Sequence, residues 1–227
     1  MPQMANPIQE EPKCVIQMPC KATNCSVISS PPFVLYRPLQ HKDLEEVKRV
    51  GTASLPDMGY PDTFWMNLVQ EKQVTCFGCF DGPGDNLIGL ISVADDARSY
   101  LPEWSIISAE KDIQRPYNKV RNTLPSPIHL HHKVAYITCF FIDSLYRGMG
   151  FGKALLSYVM HHIRASATPG NPTLLYLHVA CDNPIAQRLY ESVGFRGVLT
   201  LHNYYIRRFT QHGLSPDAHI FILPCHV

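Results

Sequence analysis

The stretch VAYITCFFIDSLYRGMGFG, residues Val134–Gly152, determines the fold of this 227-residue chain. Its first nine residues are largely apolar and rich in β-branched and aromatic side chains, which predicts a buried strand over Val134–Ile142. Three glycines follow, and the segment 148–166 carries apolar residues at helical spacing. A strand that turns through glycines into a helix exposes backbone N–H groups at the helix N-terminus, which suits a pyrophosphate.

On its own, this glycine-rich turn is also compatible with a strand-to-helix connection that binds no ligand. No Gly-Lys-Ser/Thr follows it, and its spacing differs from GxGxxG, so it is neither a Walker loop nor a dinucleotide fingerprint. A second segment, NPIAQRLYESVGF at Asn183–Phe195, adds the missing information. There Asn183 suits a helix N-cap, Pro184 the first helical position and Gly194 a left-handed C-terminal cap.

Together the two segments resemble the acetyl-CoA signature of the GNAT superfamily: R-x-x-G-x-G at Arg147–Gly152, and N-x-x-A-x-x-x-Y-E-x-x-G-F at Asn183–Phe195. The resemblance implies an α/β (α+β) GNAT fold, a mixed central sheet of about seven strands with helices on both faces. Within the superfamily the chain resembles the N-terminal acetyltransferases of the NatF class, through Tyr176–Val179 and Asn203–Tyr205 among others. The ending Pro216–Ile220 is a NatE-like feature.

The rest of the chain fits one domain. Residues 1–32 are polar and rich in proline, which predicts a disordered leader, and 33–227 form the acetyltransferase domain. The element order is βααβββαβαββ, with the last two strands at 198–209 and 218–223. Residues 95–132 show no sustained period, which predicts a long insertion or an extended hairpin.

Composition restricts partners and location. The 20 basic and 19 acidic residues give a net charge of +1, so no electrostatic footprint for nucleic acid is present. The sequence predicts neither a secretory signal nor a transmembrane segment. Eight scattered cysteines are typical of reduced thiols. We expect an intracellular, cytoplasmic monomer; the resemblance adds the cytosolic face of the Golgi as an alternative.

No metal site is predicted. Cys76 and Cys79 form a CxxC pattern within a predicted strand, where positions i and i+3 face opposite sides of the sheet. His129, His131 and His132 cluster in a polar, proline-containing stretch typical of a surface loop.

Acetylation of an amine requires a proton acceptor, because an α-amino group with a pKa of ~8 is largely protonated near neutral pH. The resemblance assigns this role to Tyr136 on the central strand and His178 on the next strand, acting through ordered water. It also implies that these strands are neighbours that separate at this point. The alternatives are a core aromatic residue and a core histidine whose hydrogen bonds are satisfied.

The resemblance also implies acetyl-CoA as the cosubstrate. The backbone of Phe140–Ile142 would pair with the pantetheine arm, amides of Arg147–Lys153 would hold the pyrophosphate, and Tyr190 either touches the sulfur or only packs its helix. The implied cofactor-binding residues are Phe140, Phe141, Ile142, Arg147, Gly148, Met149, Gly150, Phe151, Gly152, Lys153, Asn183 and Tyr190. The implied acceptor-binding residues are Leu55, Tyr60, Thr138, Tyr204 and Tyr205.

The implied function is acetyl transfer to the free N-terminal amine of proteins, with Met-starting N-termini as the expected substrates. Two alternatives stay open at this stage. One is a lysine (histone) or small-amine acetyltransferase on the same fold, and the other is a CoA-binding module without catalysis.

Overall fold

The computed structural model describes residues 14–17 (backbone only), 33–70, 74–82, 86–95, 133–165, 173–205 and 212–225. Within these residues, eight strands form one sheet in the order β1-β2-β3-β4-β5-β6-β8-β7. The strands are β1 Cys14–Gln17, β2 Phe33–Pro38, β3 Val74–Asp81, β4 Asn86–Asp95, β5 Lys133–Ile142, β6 Thr173–Ala180, β7 Arg196–Leu201 and β8 Ala218–Cys225. The helices are α1 Leu44–Ser54, α2 Asp62–Gln70, α3 Phe151–Ala165 and α4 Pro184–Ser192.

The centre of the sheet contains its parallel pair. Lys133–Tyr136 of β5 pair with Thr173–Tyr176 of β6, and the ladder between these two strands ends there. On its other side, β6 pairs antiparallel with β8 over its whole length. The predicted separation of β5 and β6 is therefore confirmed, and it opens a cleft beyond Tyr136.

Helices cover both faces of the sheet, as predicted. One core cluster packs α3 against the sheet through Phe151, Leu155, Leu156 and Val159, and it includes Tyr190 of α4. The other face is covered by α1 and α2 through Val47, Val50, Trp65 and Leu68. Burying each of these large apolar side chains stabilises the fold by roughly 1.5–3 kcal/mol.

Close packing between α1 and α2 determines where the loop between them lies. A Cβ atom at Gly51 of α1 would approach the Trp65 ring to 2.5 Å, so only glycine allows this contact without displacement. The ring of Trp65 also packs edge-on against Phe141 of β5, with centroids 6.3 Å apart. The connecting loop is thus held beside the open end of β5.

The strands at both ends of the chain differ in detail from those predicted. Cys14–Gln17, inside the segment predicted as a disordered leader, pair antiparallel with Phe33–Tyr36 and add a short edge strand to the predicted mixed sheet of about seven strands. Their sequence, CVIQ, has two β-branched residues in succession, which favours a strand. At the other end, β7 stops at Leu201 because residues 202–205 form a turn in which Asn203 adopts a positive φ of 59°.

Cys76 and Cys79 lie on opposite faces of the sheet as predicted, since they belong to different core clusters. The insertion predicted at 95–132 lies outside the described residues except for Asp95, the last residue of β4, and so do His129, His131 and His132. None of the described helices is long and apolar enough to cross a membrane.

Candidate active site

A cavity of about 950 Å³ occupies the cleft between β5 and β6. The residues proposed from the sequence converge on it from four separate parts of the chain. Those that line the cavity are Leu55, Tyr60, Tyr136, Thr138, Phe140, Phe141, Ile142, Arg147, Gly148, Gly150, Gly152, Lys153, His178, Asn183, Tyr190, Tyr204 and Tyr205. Met149 and Phe151 do not line it: the first is 62% exposed, and the second is buried against α3's core cluster.

Tyr136 and His178 meet at the point where the strands separate. Tyr136 is the last residue of the β5–β6 ladder, where it pairs with Tyr176 and its ring stacks on that tyrosine with centroids 4.8 Å apart. The Nδ1 atom of His178 lies 3.0 Å from the Tyr136 hydroxyl, within hydrogen-bond distance. The two side chains therefore form a bonded pair at the mouth of the cleft.

Burial keeps both members of this pair uncharged near neutral pH. Desolvation lowers the pKa of His178 to about 4, below its usual 6.5. Desolvation also raises the pKa of Tyr136 well above 10, with nearby Tyr204 adding to the effect. Within the described residues the Nε2 atom of His178 is buried and has no hydrogen-bond partner. A buried polar atom of this kind is costly in a structural residue and common at functional sites.

Two tyrosines from the turn after β7 contact His178, one at its ring and one at its backbone. The ring of Tyr204 stacks on His178 with centroids 4.1 Å apart and planes 14° apart, and its hydroxyl lies 3.4 Å from that of Tyr136. The hydroxyl of Tyr205 donates to the His178 carbonyl at 3.3 Å. Both rings line the cavity, so they close one side of the space in front of the pair.

The α1–α2 loop supplies an apolar wall at the same end of the cavity. Leu55, Pro56 and Met58 line it together with Tyr60 and Phe64. The Tyr60 ring stacks on Phe64 with centroids 3.9 Å apart, and burial raises its pKa, so its hydroxyl stays protonated. The wall is mostly apolar, with the Tyr60 phenol as a polar group, and Asp57 of the same loop also lines the cavity.

Thr138 occupies a β-bulge beside this wall. The β4–β5 register shifts so that Ser92 pairs with Cys139 while Val93 pairs with Ile137, which leaves Thr138 as the extra residue. Bulges re-aim side chains and are frequent next to active sites. The Thr138 and Ser92 hydroxyls form a short hydrogen bond, which orients Thr138 at the cavity wall.

The other end of the cavity has the features that acetyl-CoA requires. Gly148 and Gly150 have φ values of 78° and 90°, which only glycine adopts readily, so the turn leaves its backbone close to the cavity. The first intrahelical bond of α3 runs from the Ala154 N–H to the Gly150 carbonyl at 3.1 Å, and the N–H groups before it have no acceptor inside the helix. Phosphate oxygens fit such a helix end.

The open edge of β5 and the start of α4 complete this end. The described part of β5 beyond Tyr136 has no strand partner on the β6 side, so it can accept an extended polar chain such as pantetheine. Asn183 caps α4 as predicted, since its side-chain oxygen accepts the Ala186 N–H at 3.1 Å. The residues present therefore fit acetyl-CoA.

Arg147 braces the site through its side chain. Its guanidinium donates to the Ile142 carbonyl at 2.9 Å and to the Ser54 carbonyl at 3.0 Å. Ser54 is the last residue of α1, directly before the apolar wall, so the bond ties the glycine turn to that wall. The backbone role expected for Arg147 stays a prediction.

Tyr190 packs as its helix position suggests. Its ring lies 6.1 Å from Phe140 and 5.7 Å from Phe195, measured between centroids, and burial raises its pKa. Because it also lines the cavity, a role at the cofactor sulfur stays a prediction beside this packing role.

Several cavity residues were missed by sequence reasoning: Ser54, Pro56, Asp57, Met58, Phe64, Ile137, Cys139, Tyr146, Leu177, Val179, Ala180, Ile185, Ala186 and Leu189. Helical spacing from Asn183 identifies Ala186 and Leu189 on the same side of α4, and this signal was available in the sequence. The others follow from the cleft itself, which depends on where β5 and β6 part.

Comparison with known proteins identifies the family. The model of the acetyltransferase (GNAT) family matches residues 42–195, more than half of the chain, so the protein belongs to the GNAT acetyltransferases. The chain is 24% identical over 189 residues to N-alpha-acetyltransferase 60 of Xenopus tropicalis, covering 83% of this chain and 69% of that protein. It is 26% identical over 200 residues to histone acetyltransferase MCC1 of Arabidopsis thaliana, covering 86% and 71%.

A solved structure supports the fold. NAA60 of Arabidopsis thaliana in complex with acetyl-CoA is similar with a TM-score of 0.63 and 22% identity, covering 84% of this chain and 98% of that chain. The enzyme class follows from the family: membership of the GNAT acetyltransferases makes the chain an acyltransferase, in agreement with the sequence prediction. That neighbour binds acetyl-CoA, the cosubstrate predicted for this chain.

Proposed function

We propose that this protein transfers the acetyl group of acetyl-CoA to the free N-terminal amine of proteins or peptides. The observation that carries the proposal is the Tyr136–His178 pair, bonded at 3.0 Å where β5 and β6 separate. The glycine turn suited to phosphates and the apolar wall of the α1–α2 loop line the same cavity as the pair. An amine that enters from the wall side would meet the thioester beside this pair.

The chemistry follows from the neutral state of the pair. An α-amino group with a pKa of ~8 is about one-tenth neutral at pH 7, so the site can bind the free amine directly. Attack forms the new C–N bond and the thioester C–S bond then breaks, so that CoA leaves as a thiolate that takes up a proton. The nitrogen becomes far more acidic once its lone pair enters the new C–N bond. A histidine with a pKa of about 4 is then a sufficient proton acceptor, directly or through a water between the amine and the pair.

The apolar wall favours a large apolar first residue. Leu55, Met58 and Phe64 offer aliphatic and aromatic surface, while Tyr60 adds one hydroxyl that can bond the peptide backbone. Methionine matches such a wall because it is long, flexible and apolar. We therefore propose Met-starting N-termini as the substrates, with Thr138 beside the first residue.

Acetylation of an internal lysine is the second candidate, favoured by the similarity to the histone acetyltransferase of Arabidopsis thaliana. An internal lysine would need the peptide chain to continue on both sides of the acceptor nitrogen. Tyr204 stacked on His178, together with Tyr60 in the lining of the same cavity, supports a narrow site that accepts a chain end. A CoA-binding module without catalysis would have no use for the Tyr136–His178 pair.

A peptide panel tests the proposal. Acetyl-CoA consumption is measured with Met-Leu, Met-Lys and Ser-Glu peptides, and with an N-terminally blocked peptide that carries one internal lysine. Turnover is expected on the Met-starting peptides and its absence on the blocked peptide. Turnover confined to the blocked peptide would establish the lysine activity. CoA binding without turnover on any peptide would establish the binding module.

A further inference from the structure

The turn that carries Tyr204 and Tyr205 has an unfavourable backbone conformation at its start. Asn203 adopts φ 59°, in the left-handed region, which costs roughly 1–2 kcal/mol for a residue with a side chain. Asparagine tolerates this region better than most residues, yet it does not fix the turn in place. Contacts from outside the turn must therefore hold the two tyrosines against His178.

Asp217 makes those contacts. Its Oδ1 atom accepts the backbone N–H of Asn203 at 3.0 Å, and its Oδ2 atom lies 3.0 Å from Nδ1 of His202. The carbonyl of the preceding residue, Pro216, accepts the backbone N–H of Tyr205. Three of the four residues of the turn, His202, Asn203 and Tyr205, are thus bonded to the segment just before β8.

The same residue is also bonded to the strand that carries His178. The backbone carbonyl of Asp217 accepts the N–H of Cys181 at 3.0 Å, and Cys181 follows directly after β6. Asp217 therefore joins the tyrosine turn to the end of β6, the strand that carries His178. Its hydrogen bonds to the Asn203 amide and to His202 lower its pKa, so it stays ionised near neutral pH.

We propose that Asp217 is a positioning residue for the acceptor amine, and that it acts by seating Tyr204 on His178. The inference rests on the proposed function, because it places the acceptor amine in the space beside these two rings. A seated Tyr204 fixes the plane of the His178 ring and closes one side of the cleft. Without the Asp217 contacts, Tyr204 no longer closes that side of the cleft, and the peptide N-terminus loses a contact surface. The glycine turn keeps its shape.

Steady-state kinetics of Asp217→Ala test whether Asp217 positions Tyr204 for peptide binding. The peptide KM is expected to rise by about tenfold, equivalent to 1.4 kcal/mol, while the Kd for acetyl-CoA stays within about twofold. Asp217→Asn is expected to rescue most of the effect, because its amide oxygen can still accept the Asn203 N–H. A peptide KM within about twofold of wild type for Asp217→Ala, or an equal defect in Asp217→Asn, would overturn the proposal.

Two further variants separate seating from general damage. Asn203→Pro removes the N–H that Asp217 accepts and forbids a positive φ, so it disrupts the turn without changing Asp217. It is expected to raise the peptide KM as Asp217→Ala does, and it tests the proposal independently if Asp217→Ala folds poorly. Asp81→Ala is the matched control, since the Asp81 carboxylate accepts the Asn86 side-chain amide at 3.0 Å at the end of β3 and is not among the residues that line the cavity. A tenfold rise in peptide KM for Asp81→Ala would show that loss of an aspartate elsewhere on the protein has the same effect, and would also overturn the proposal.

A measurement on the protein alone keeps this test independent of the reaction. In histidine-labelled wild-type protein the His178 ring protons are shielded by the stacked Tyr204 ring, and the resonance is assigned by its absence in His178→Gln. Asp217→Ala is expected to shift that resonance downfield, and an unchanged resonance would refute the seat. If wild-type protein acetylates no peptide, the proposed function fails, whereas the resonance still decides the role of Asp217.

Discussion

Replacing His178 by glutamine should make the free energy of unfolding less sensitive to acidic pH. Histidine ordinarily titrates near 6.5, and burial lowers the pKa of His178 to about 4. The folded protein therefore resists protonation at this ring, while the unfolded chain accepts it. Glutamine fills similar space, can still bond the Tyr136 hydroxyl, and does not titrate.

The magnitude follows from the two pKa values. At 1.36 kcal/mol for each pH unit that separates them, the full effect is about 3 kcal/mol. Because the folded pKa is the lower one, this stability is fully present above pH 6.5 and is lost as the pH falls towards 4. At pH 4.5 the loss attributable to His178 is about 2.5 kcal/mol.

Urea unfolding of wild type and His178→Gln at pH 7.5 and pH 4.5 measures this loss. The free energy of unfolding should fall between the two pH values by about 2.5 kcal/mol more in wild type than in the variant. Equal falls in the two proteins would refute the claim that His178 is buried uncharged. A direct titration of the His178 ring near 6.5 by NMR would refute it as well.

The remaining predictions concern four other positions. Tyr136→Phe should lower kcat by at least about a hundredfold, as expected for loss of a proton-transfer group, with acetyl-CoA binding measured by calorimetry unchanged. Gly150→Ala should raise the Kd for acetyl-CoA by about tenfold or more, because alanine at φ 90° is strained and adds a side chain at the turn. Arg147→Ala should lower Tm and raise the peptide KM, because it removes the hydrogen bond that joins the glycine turn to the Ser54 carbonyl. Arg147→Lys cannot bridge the Ile142 and Ser54 carbonyls, so it should behave similarly in thermal melts and kinetics. Tyr60→Phe should keep the stack on Phe64, and with it the Tm, yet raise the peptide KM in the same assay.

Much of this fold was predictable because its signals are local. The strand and helix around the glycine turn follow from hydrophobic period and from glycine conformation, both encoded within Val134–Gly152. The cap at Asn183 follows from residue types at adjacent positions, and the structure confirms it. The separation of β5 and β6 came from resemblance alone, since no local pattern indicates where two strands part.

What sequence reasoning missed depends on long-range contacts. The strand Cys14–Gln17 forms by pairing with Phe33–Tyr36, which a proline-rich neighbourhood does not indicate. β7 ends at Leu201 because Asn203 turns and is bonded by Asp217, fourteen residues further along the chain. Propensity favoured a continued strand there, and this tertiary hydrogen bond overrode it.

The most direct test of the proposed function uses one peptide that offers both acceptors. A peptide that begins with a free Met-Leu and contains an internal lysine is incubated with the protein and acetyl-CoA, and tandem mass spectrometry locates the acetyl group. We expect the acetyl group on the α-nitrogen of the methionine, with the lysine unmodified and with the product absent for Tyr136→Phe. An acetyl group on the lysine alone, or full turnover by Tyr136→Phe, would contradict the account.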